Sequence, residues 1–241
     1  MTRDLDPTSA IVLAGGVGSR LRSVVSDRPK VLAAVRGRPF LAYLLDVLEE
    51  AGIRKVVLCT GYMAAQVEET FGPAFGKMRI VYSRESTPLG TGGAVRAAAA
   101  RIAAESVLVM NGDSFCEVDL PAMVAAHRAR EAEATILLTE VRDARRFGRV
   151  QIGDDGRVLA FEEKSARGGP GWINAGVYLL QRPLLETIPQ DRAVSLEREV
   201  FPAWIGRGLY GHPVLGRFLD IGTPESFAAA EVFFAPARKP Q

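Results

Sequence analysis

The chain of 241 residues is 48% hydrophobic and 24% charged, with a formal net charge of +2. That length buries a substantial core without staples, and so balanced a charge excludes a partnership with nucleic acid or a membrane surface built on basicity. The two cysteines, Cys59 and Cys116, lack metal-ligand spacing and imply a reducing, cytoplasmic setting; residues 1–7 have no apolar signal core, and no apolar run approaches membrane length.

In chain order, an apolar run predicts a buried strand over 10–14, followed by a helix over 39–51 with Phe40, Leu41, Leu44, Leu45 and Leu48 on one face. Gly52 stands where the C-terminal cap of that helix belongs. Strands over 55–60, 78–83 and 106–111 alternate with helices over 63–71 and 92–103. Asp119 is a good N-cap for a helix over 120–130, and a strand follows over 134–141. Beyond Val141 the rhythm changes. Segments 147–152 and 157–162 flank Gly153-Asp154-Asp155-Gly156 as a hairpin, and 168–171 reads as a loop. A strand over 172–181, a helix over 195–205, a short strand over 217–221 and a closing helix over 223–233 complete the chain, with a frayed tail at 235–241. The βαβ rhythm predicts a three-layer α/β/α sandwich around a mostly parallel, Rossmann-like mixed sheet, with the whole chain, 1–241, as one domain.

The most informative segment leaves the first strand: Leu13-Ala14-Gly15-Gly16-Val17-Gly18-Ser19-Arg20-Leu21, then Arg28-Pro29-Lys30. Glycines remove Cβ atoms and let backbone N–H groups approach an anion, while Arg20 and Lys30 add a planar fork and a compact point charge. A nucleoside triphosphate suits that set. A dinucleotide fingerprint fails because Leu21 replaces its third glycine and strand 55–60 ends without an acid. A Walker A loop fails at Gly76-Lys77-Met78, which lacks the hydroxyl. Farther on, Asp113 and Asp220 both close predicted strands. Each suits a cap for the segment that follows, and together they suit Mg²⁺, which takes few protein ligands and completes its octahedron with water and phosphate. Trp172 and Trp204 read as core, and His127 and His212 as facing solvent or packing locally. Arg142, Arg145, Arg146 and Arg149 read as an exposed hairpin from which one guanidinium is able to touch phosphate.

Gly15-Gly16-Val17-Gly18-Ser19-Arg20-Leu21 with Pro29-Lys30 resembles the signature of the sugar-nucleotidyltransferase (nucleotidyl-sugar pyrophosphorylase) family. The resemblance spans roughly 9–233 and implies that family's nucleotide-diphospho-sugar transferase fold, with a nucleotide-binding half over about 9–141 and a sugar-phosphate half over about 142–233. It implies nucleotide contacts from Leu13, Ala14, Gly15, Gly16, Gly18, Ser19, Arg20, Lys30, Glu85, Gly90, Thr91 and Asp113, and a metal pair of Asp113 and Asp220. Gly148, Glu163, Lys164 and Asn174 match the sugar-phosphate side, and Arg20, Lys30, Asp113 and Lys164 the catalytic set.

Segments Leu21–Val25, 37–41, Pro88-Leu89-Gly90-Thr91-Gly92-Gly93-Ala94 and Ile173-Asn174-Ala175-Gly176-Val177-Tyr178 look most like the short heptose 1-phosphate guanylyltransferases within the family. The chain departs from them at Val31-Leu32-Ala33, where Pro-Met-Ala is usual, and at Ala175, where a second glycine is common. The resemblance implies GTP and a sugar 1-phosphate as substrates, Mg²⁺ as cofactor, neither nucleic acid nor membrane as partner, and leaves a homodimer as an open expectation. The product would feed a surface polysaccharide. A mannose 1-phosphate guanylyltransferase and a uridylyltransferase for an amino sugar phosphate are the near alternatives. A non-catalytic nucleotide sensor would be expected to lack one of Arg20, Lys30, Asp113, Lys164 or Asp220, and all five are present.

Overall fold

The computed structural model describes residues 9–163, 168–190 and 192–236. β1 (Ser9–Leu13) leads through short 3-10 turns and a small ribbon, β2 (Ala34–Val35) with β3 (Arg38–Pro39), into helix α1 (Phe40–Glu50). Next come β4 (Lys55–Thr60), α2 (Ala64–Phe71), β5 (Ala74–Phe75), β6 (Met78–Arg84), α3 (Gly90–Ala99) and β7 (Ser106–Asn111). A three-residue β8 (Ser114–Cys116), α4 (Leu120–Ala129) and β9 (Ala134–Val141) close the alternating part. The remainder holds β10 (Gly148–Ile152), β11 (Val158–Glu163), β12 (Gly171–Gln181), α5 (Arg182–Glu186), α6 (Phe201–Trp204), β13 (Leu209–Val214), β14 (Phe218–Asp220) and α7 (Pro224–Phe233).

The main sheet runs β11-β10-β12-β7-β1-β4-β6-β5, with β9 on the other side of β12 and β13 beyond it. Of its described strands, only β5, β11 and β12 run against the rest. The sheet is buried on both faces, so its central strands carry near-continuous apolar runs. Successive residues nevertheless serve different layers. Ala10, Val12, Val56, Leu58, Leu108 and Met110 join one core with α1, α4 and α7, while Ile11, Val57, Cys59, Val107 and Val109 join the other with α3, α5 and α6. The three-layer sandwich follows from that division.

Local signals set the helix ends. Gly52, at φ +87°, closes α1 as its N–H reaches the Glu49 carbonyl while the Ile53 N–H reaches that of Leu48, the paired bonds of a Schellman cap. Asp119 accepts from the Ala122 N–H at 2.9 Å and starts α4. Phe40, Leu41, Leu44, Leu45 and Leu48 are completely buried, each contributing about 1.5–3 kcal/mol.

Several elements differ from the sequence expectation. The helix predicted over 92–103 begins at Gly90 and ends at Ala99, because packing against residue 194 holds its glycine-rich first turn. The helix predicted over 195–205 is a π-helical turn, Leu196–Val200, running into the single turn of α6. β13 carries Gly211 and Pro213. Proline suits an edge strand, and β13 pairs within the sheet only with β9 among the described strands. Trp172 and Trp204 pack against the second core, and both cysteines are buried free thiols, Cys116 within β8. No described helix is long and apolar enough to cross a membrane. Residues 237–241 of the expected frayed tail lie outside the described residues.

His127 is buried between α4 and the sheet. The Gln181 amide donates to its Nε2 at 3.1 Å, and its Nδ1 faces the Thr135 hydroxyl at 2.8 Å. Burial, reinforced by the nearby Arg128 charge, lowers its pKa from 6.5 to about 4. The unfolded chain therefore binds the extra proton first as pH falls, and stability present above pH 6.5 drains away down to about pH 4. Urea unfolding should show stability rising with pH across that window by up to about 1.4 kcal/mol per pH unit, and His127→Gln should flatten the slope.

Candidate active site

The C-terminal ends of β1, β4, β6 and β7 share one edge of the sheet, where open α/β folds leave room for ligands. Backbone hydrogen bonds pin the glycine loop there: Ala14 N–H to the Cys59 carbonyl at 2.8 Å, Tyr62 N–H to that of Gly15 at 3.3 Å, and Gly112 N–H to that of Leu13 at 2.9 Å. A cleft of about 590 Å³ opens above it. Of the residues expected to bind nucleotide, Leu13, Gly15, Gly16, Lys30, Glu85, Gly90, Thr91 and Asp113 line this cleft. Ala14 is buried beneath it. Gly18, Ser19 and Arg20 stand outside the lining, Ser19 and Arg20 in an exposed 3-10 turn.

Glu85 sits where the chain leaves β6, its N–H bonded to the Thr60 carbonyl at 2.8 Å. Its Oε2 accepts from the Leu89 N–H at 2.9 Å, and its Oε1 would be 3.2 Å from a Cβ on Gly15. Burial raises its pKa, and the Leu89 N–H works against that shift.

Asp113 and Asp220 come together through a ribbon of two strands. β14 pairs antiparallel with β8 and sets Asp220 opposite Ser114, while the Ile221 N–H bonds to the Asp113 carbonyl at 3.0 Å. Lys30 Nζ lies 2.5 Å from Asp113 Oδ2. Asp220 Oδ1 accepts from the Gly222 N–H at 3.0 Å and from Arg146 at 3.3 Å. Burial, then the negative charge of Asp113, raises the Asp220 pKa; Lys30, the Gly222 N–H and Arg146 oppose the rise. The Arg20 guanidinium also reaches this end, 3.3 Å from where a Cβ on Gly222 would stand.

On the other side, Gly148 is the register partner of Glu163 across the β10–β11 ladder. The Glu163 side chain and all of Lys164 lie outside the described residues. Asn174 lies on β12 at a wide bulge, where Asn174 to Tyr178 on β12 faces Leu138 to Ile136 on β9. Gly176 makes the bulge possible: its φ is +78°, and a Cβ there would lie 2.6 Å from the Ser114 hydroxyl. Within the cationic stretch, Arg145 pairs with Asp143 and Arg149 donates to the Pro170 carbonyl, Arg142 is exposed, and only Arg146 is bonded to Asp220.

The nucleotidyl transferase family matches this chain over residues 9–236. The chain belongs to that family. A D-glycero-alpha-D-manno-heptose 1-phosphate guanylyltransferase from Aneurinibacillus thermoaerophilus is 38% identical over 92% of this chain and 96% of its own. A mannose-1-phosphate guanylyltransferase from Mycobacterium tuberculosis is 41% identical over 90% of this chain, which spans 62% of that protein's length. HddC from Yersinia pseudotuberculosis, solved complexed with GMP-PN, superposes with a TM-score of 0.81 at 32% identity, over 94% of this chain and 99% of that one.

Nucleotidyl transferases of this family generally use a divalent metal. No described group of three or more His, Cys, Asp or Glu is arranged to hold one. Asp113 and Asp220 nevertheless fit, since the β8–β14 register and the bond from the Ile221 N–H to the Asp113 carbonyl bring the two residues to one place, and a hard cation that keeps several water or phosphate ligands needs no more.

Other site residues escaped the sequence reading. Glu197, on the π-helical turn, bonds Thr91 from 106 positions away. The Tyr178 hydroxyl accepts from Asn174 and from Asn111, which lines the cleft. No spacing in the sequence marks these pairs, although a π-helical turn, once seen, is a frequent companion of functional sites.

Two glycine substitutions separate packing from ligand contact. Gly176→Ala combines the positive φ with the clash at Ser114 and should cost about 1–3 kcal/mol in urea unfolding. A Cβ on Gly16 would meet nothing within 4 Å. Gly16→Ala should therefore stay within about 0.5 kcal/mol of wild-type stability while weakening GTP affinity measured by calorimetry.

Proposed function

We propose that the protein joins GTP and D-glycero-α-D-manno-heptose 1-phosphate, giving GDP-heptose and pyrophosphate. The observation that carries this reading is the convergence of the glycine loop, Glu85 and the Asp113–Asp220 pair on the same sheet edge. The heptose guanylyltransferase relative and the HddC complex with GMP-PN support it. A cytoplasmic setting suits the two free thiols.

A sugar-phosphate oxygen attacks the α-phosphorus in line, and the bond from that phosphorus to the bridging oxygen of the β-phosphate breaks. Pyrophosphate leaves with the electron pair. The attacking phosphate is already an anion, so no general base is required, and positioning with charge neutralisation supplies the rate. Asp113 and Asp220 would hold the divalent ion, here Mg²⁺, which when bound neutralises phosphate charge. Lys30, beside Asp113, serves the phosphates near the reacting centre, and Arg20 serves the departing pyrophosphate. Lys164 would neutralise the sugar phosphate, while Gly148, Glu163 and Asn174 would bind the sugar.

Glu85 selects the base. A carboxylate only accepts hydrogen bonds, and guanine offers it two adjacent donors, N1–H and the 2-amino group. Uracil and thymine offer a single N–H between two carbonyl oxygens. Glu85→Gln should lower the preference for GTP over UTP and dTTP about tenfold or more, in line with about 1.5–3 kcal/mol for a hydrogen bond to a charged group. A variant with wild-type nucleotide ranking in pyrophosphate-release assays would remove the argument for guanine.

Mannose 1-phosphate is the second reading, favoured by the relative at 41% identity. Turnover of purified protein against heptose, mannose and amino sugar 1-phosphates with each nucleoside triphosphate decides between them. In the same assay, Asp113→Asn and Asp220→Asn should each lose about a hundredfold or more, equivalent to about 3 kcal/mol of transition-state stabilisation. Undiminished wild-type turnover in excess EDTA would end the two-carboxylate metal site.

A further inference from the structure

A continuous run of hydrogen bonds joins Thr91, in the first turn of α3, to the β12 bulge carrying Asn174, and Glu197 is its centre. The Leu196 N–H donates to the Thr91 hydroxyl oxygen at 2.9 Å, and that hydroxyl donates onward to Glu197 Oε2 at 2.7 Å. Ser195 donates to the same oxygen at 2.9 Å. The other oxygen, Oε1, accepts from the Tyr178 hydroxyl at 3.3 Å. Three donors thus meet one carboxylate, a group that only accepts.

That charge sets the direction of the bonds at the Tyr178 hydroxyl. Tyr178 is completely buried, so its hydroxyl cannot turn to water. Its single proton is committed to Glu197, which leaves its oxygen only lone pairs. Asn174 and Asn111 must therefore both present their amide nitrogens, at 2.9 and 3.4 Å. With its nitrogen so placed, Asn174 turns Oδ1 to the Gly176 N–H at 2.9 Å. Burial and the Glu197 charge raise the Tyr178 pKa well above the usual range and keep its proton in place.

We propose that Glu197 is a positioning residue that, through Tyr178, sets the amide orientation of Asn174 and so the donor–acceptor pattern offered to the hydroxyl groups of the sugar 1-phosphate. This rests on the reading above that Asn174 faces the sugar. It adds a carboxylate remote in sequence that ties the first turn of α3 to the sugar side.

Glu197→Gln keeps the shape but brings an amide N–H into a place built for acceptors. Facing Tyr178, that N–H makes the tyrosine an acceptor and sends its proton toward an asparagine, whose oxygen must then turn inward. Facing Thr91 and Ser195 it would strand two hydroxyl protons rather than one, because those oxygens already accept from the Leu196 and Arg198 N–H groups. The amide oxygen therefore stays on that side, and the N–H faces Tyr178. The KM for sugar 1-phosphate should rise about tenfold or more while that for GTP changes by no more than about threefold. Tyr178→Phe should act similarly, and the double variant should be no worse than either single one, because both cut the same connection. Losses that multiply in the double variant, or that fall equally on both substrates and follow Tm, would assign Glu197 to stability alone.

A substrate-free measurement is independent of the reaction. The side-chain amide NMR signals of Asn174 and Asn111, assigned with Asn174→Asp and Asn111→Asp, should shift in Glu197→Gln; unchanged signals would overturn the proposal. Wild-type protein that turns over no sugar 1-phosphate would sink the reading of the reaction, while the amide signals would still decide the orientation.

Discussion

Two carboxylates held side by side at the end of a sheet repel each other, and much of the surrounding structure answers that repulsion. Asp113 ends one strand system and Asp220 another, and only the β8–β14 ribbon makes them neighbours. Burial, and after it the charge of Asp113, raises the pKa of Asp220. That rise is offset locally by Lys30 on Asp113, and by Arg146 and the Gly222 N–H on Asp220. Such an arrangement is weak for stability, because each charge is partly removed from water. It suits a site where a divalent ion and a polyphosphate exchange charge with the protein.

The sandwich supplies the rigidity that holds these charges in place. Odd and even residues of β1, β4 and β7 lock into two separate cores, so none of these strands can slip by one residue without exchanging its two faces. The ends of the strands are correspondingly well placed, and the glycine loop inherits that placement through backbone bonds at Ala14, Tyr62 and Gly112. Flexible side chains then act from a fixed frame.

Behind the cleft the polar interior follows a stricter rule. Most buried polar groups are paired, and where the pairing involves one charge it also acquires a direction, which here leaves Asn111 Oδ1 buried without a partner. Glu197 orders Tyr178, Asn174 and Asn111, whereas the buried His127, between Gln181 and Thr135, has its pKa lowered far enough to stay neutral. The first network adjoins the cleft. The second lies within the fold and affects stability through pH.

The sequence by itself determined what depends on neighbours along the chain. Strands 55–60, 106–111 and 134–141 were legible to the residue from their apolar runs, the end of α1 from Gly52, the start of α4 from Asp119, and the glycine loop from its own spacing. Elements that lean on distant partners were not: β8 and β14 exist as each other's partner, β13 is held along β9 despite Pro213, and the π-helical turn is shaped around Thr91. Tertiary structure alone placed Arg146 on Asp220, Glu197 on Thr91 and Asn111 beside Tyr178. The reason is physical. Periodicity and capping are local consequences of backbone geometry, while a hydrogen bond between residues 74 or 106 positions apart leaves no regular trace in the order of the chain.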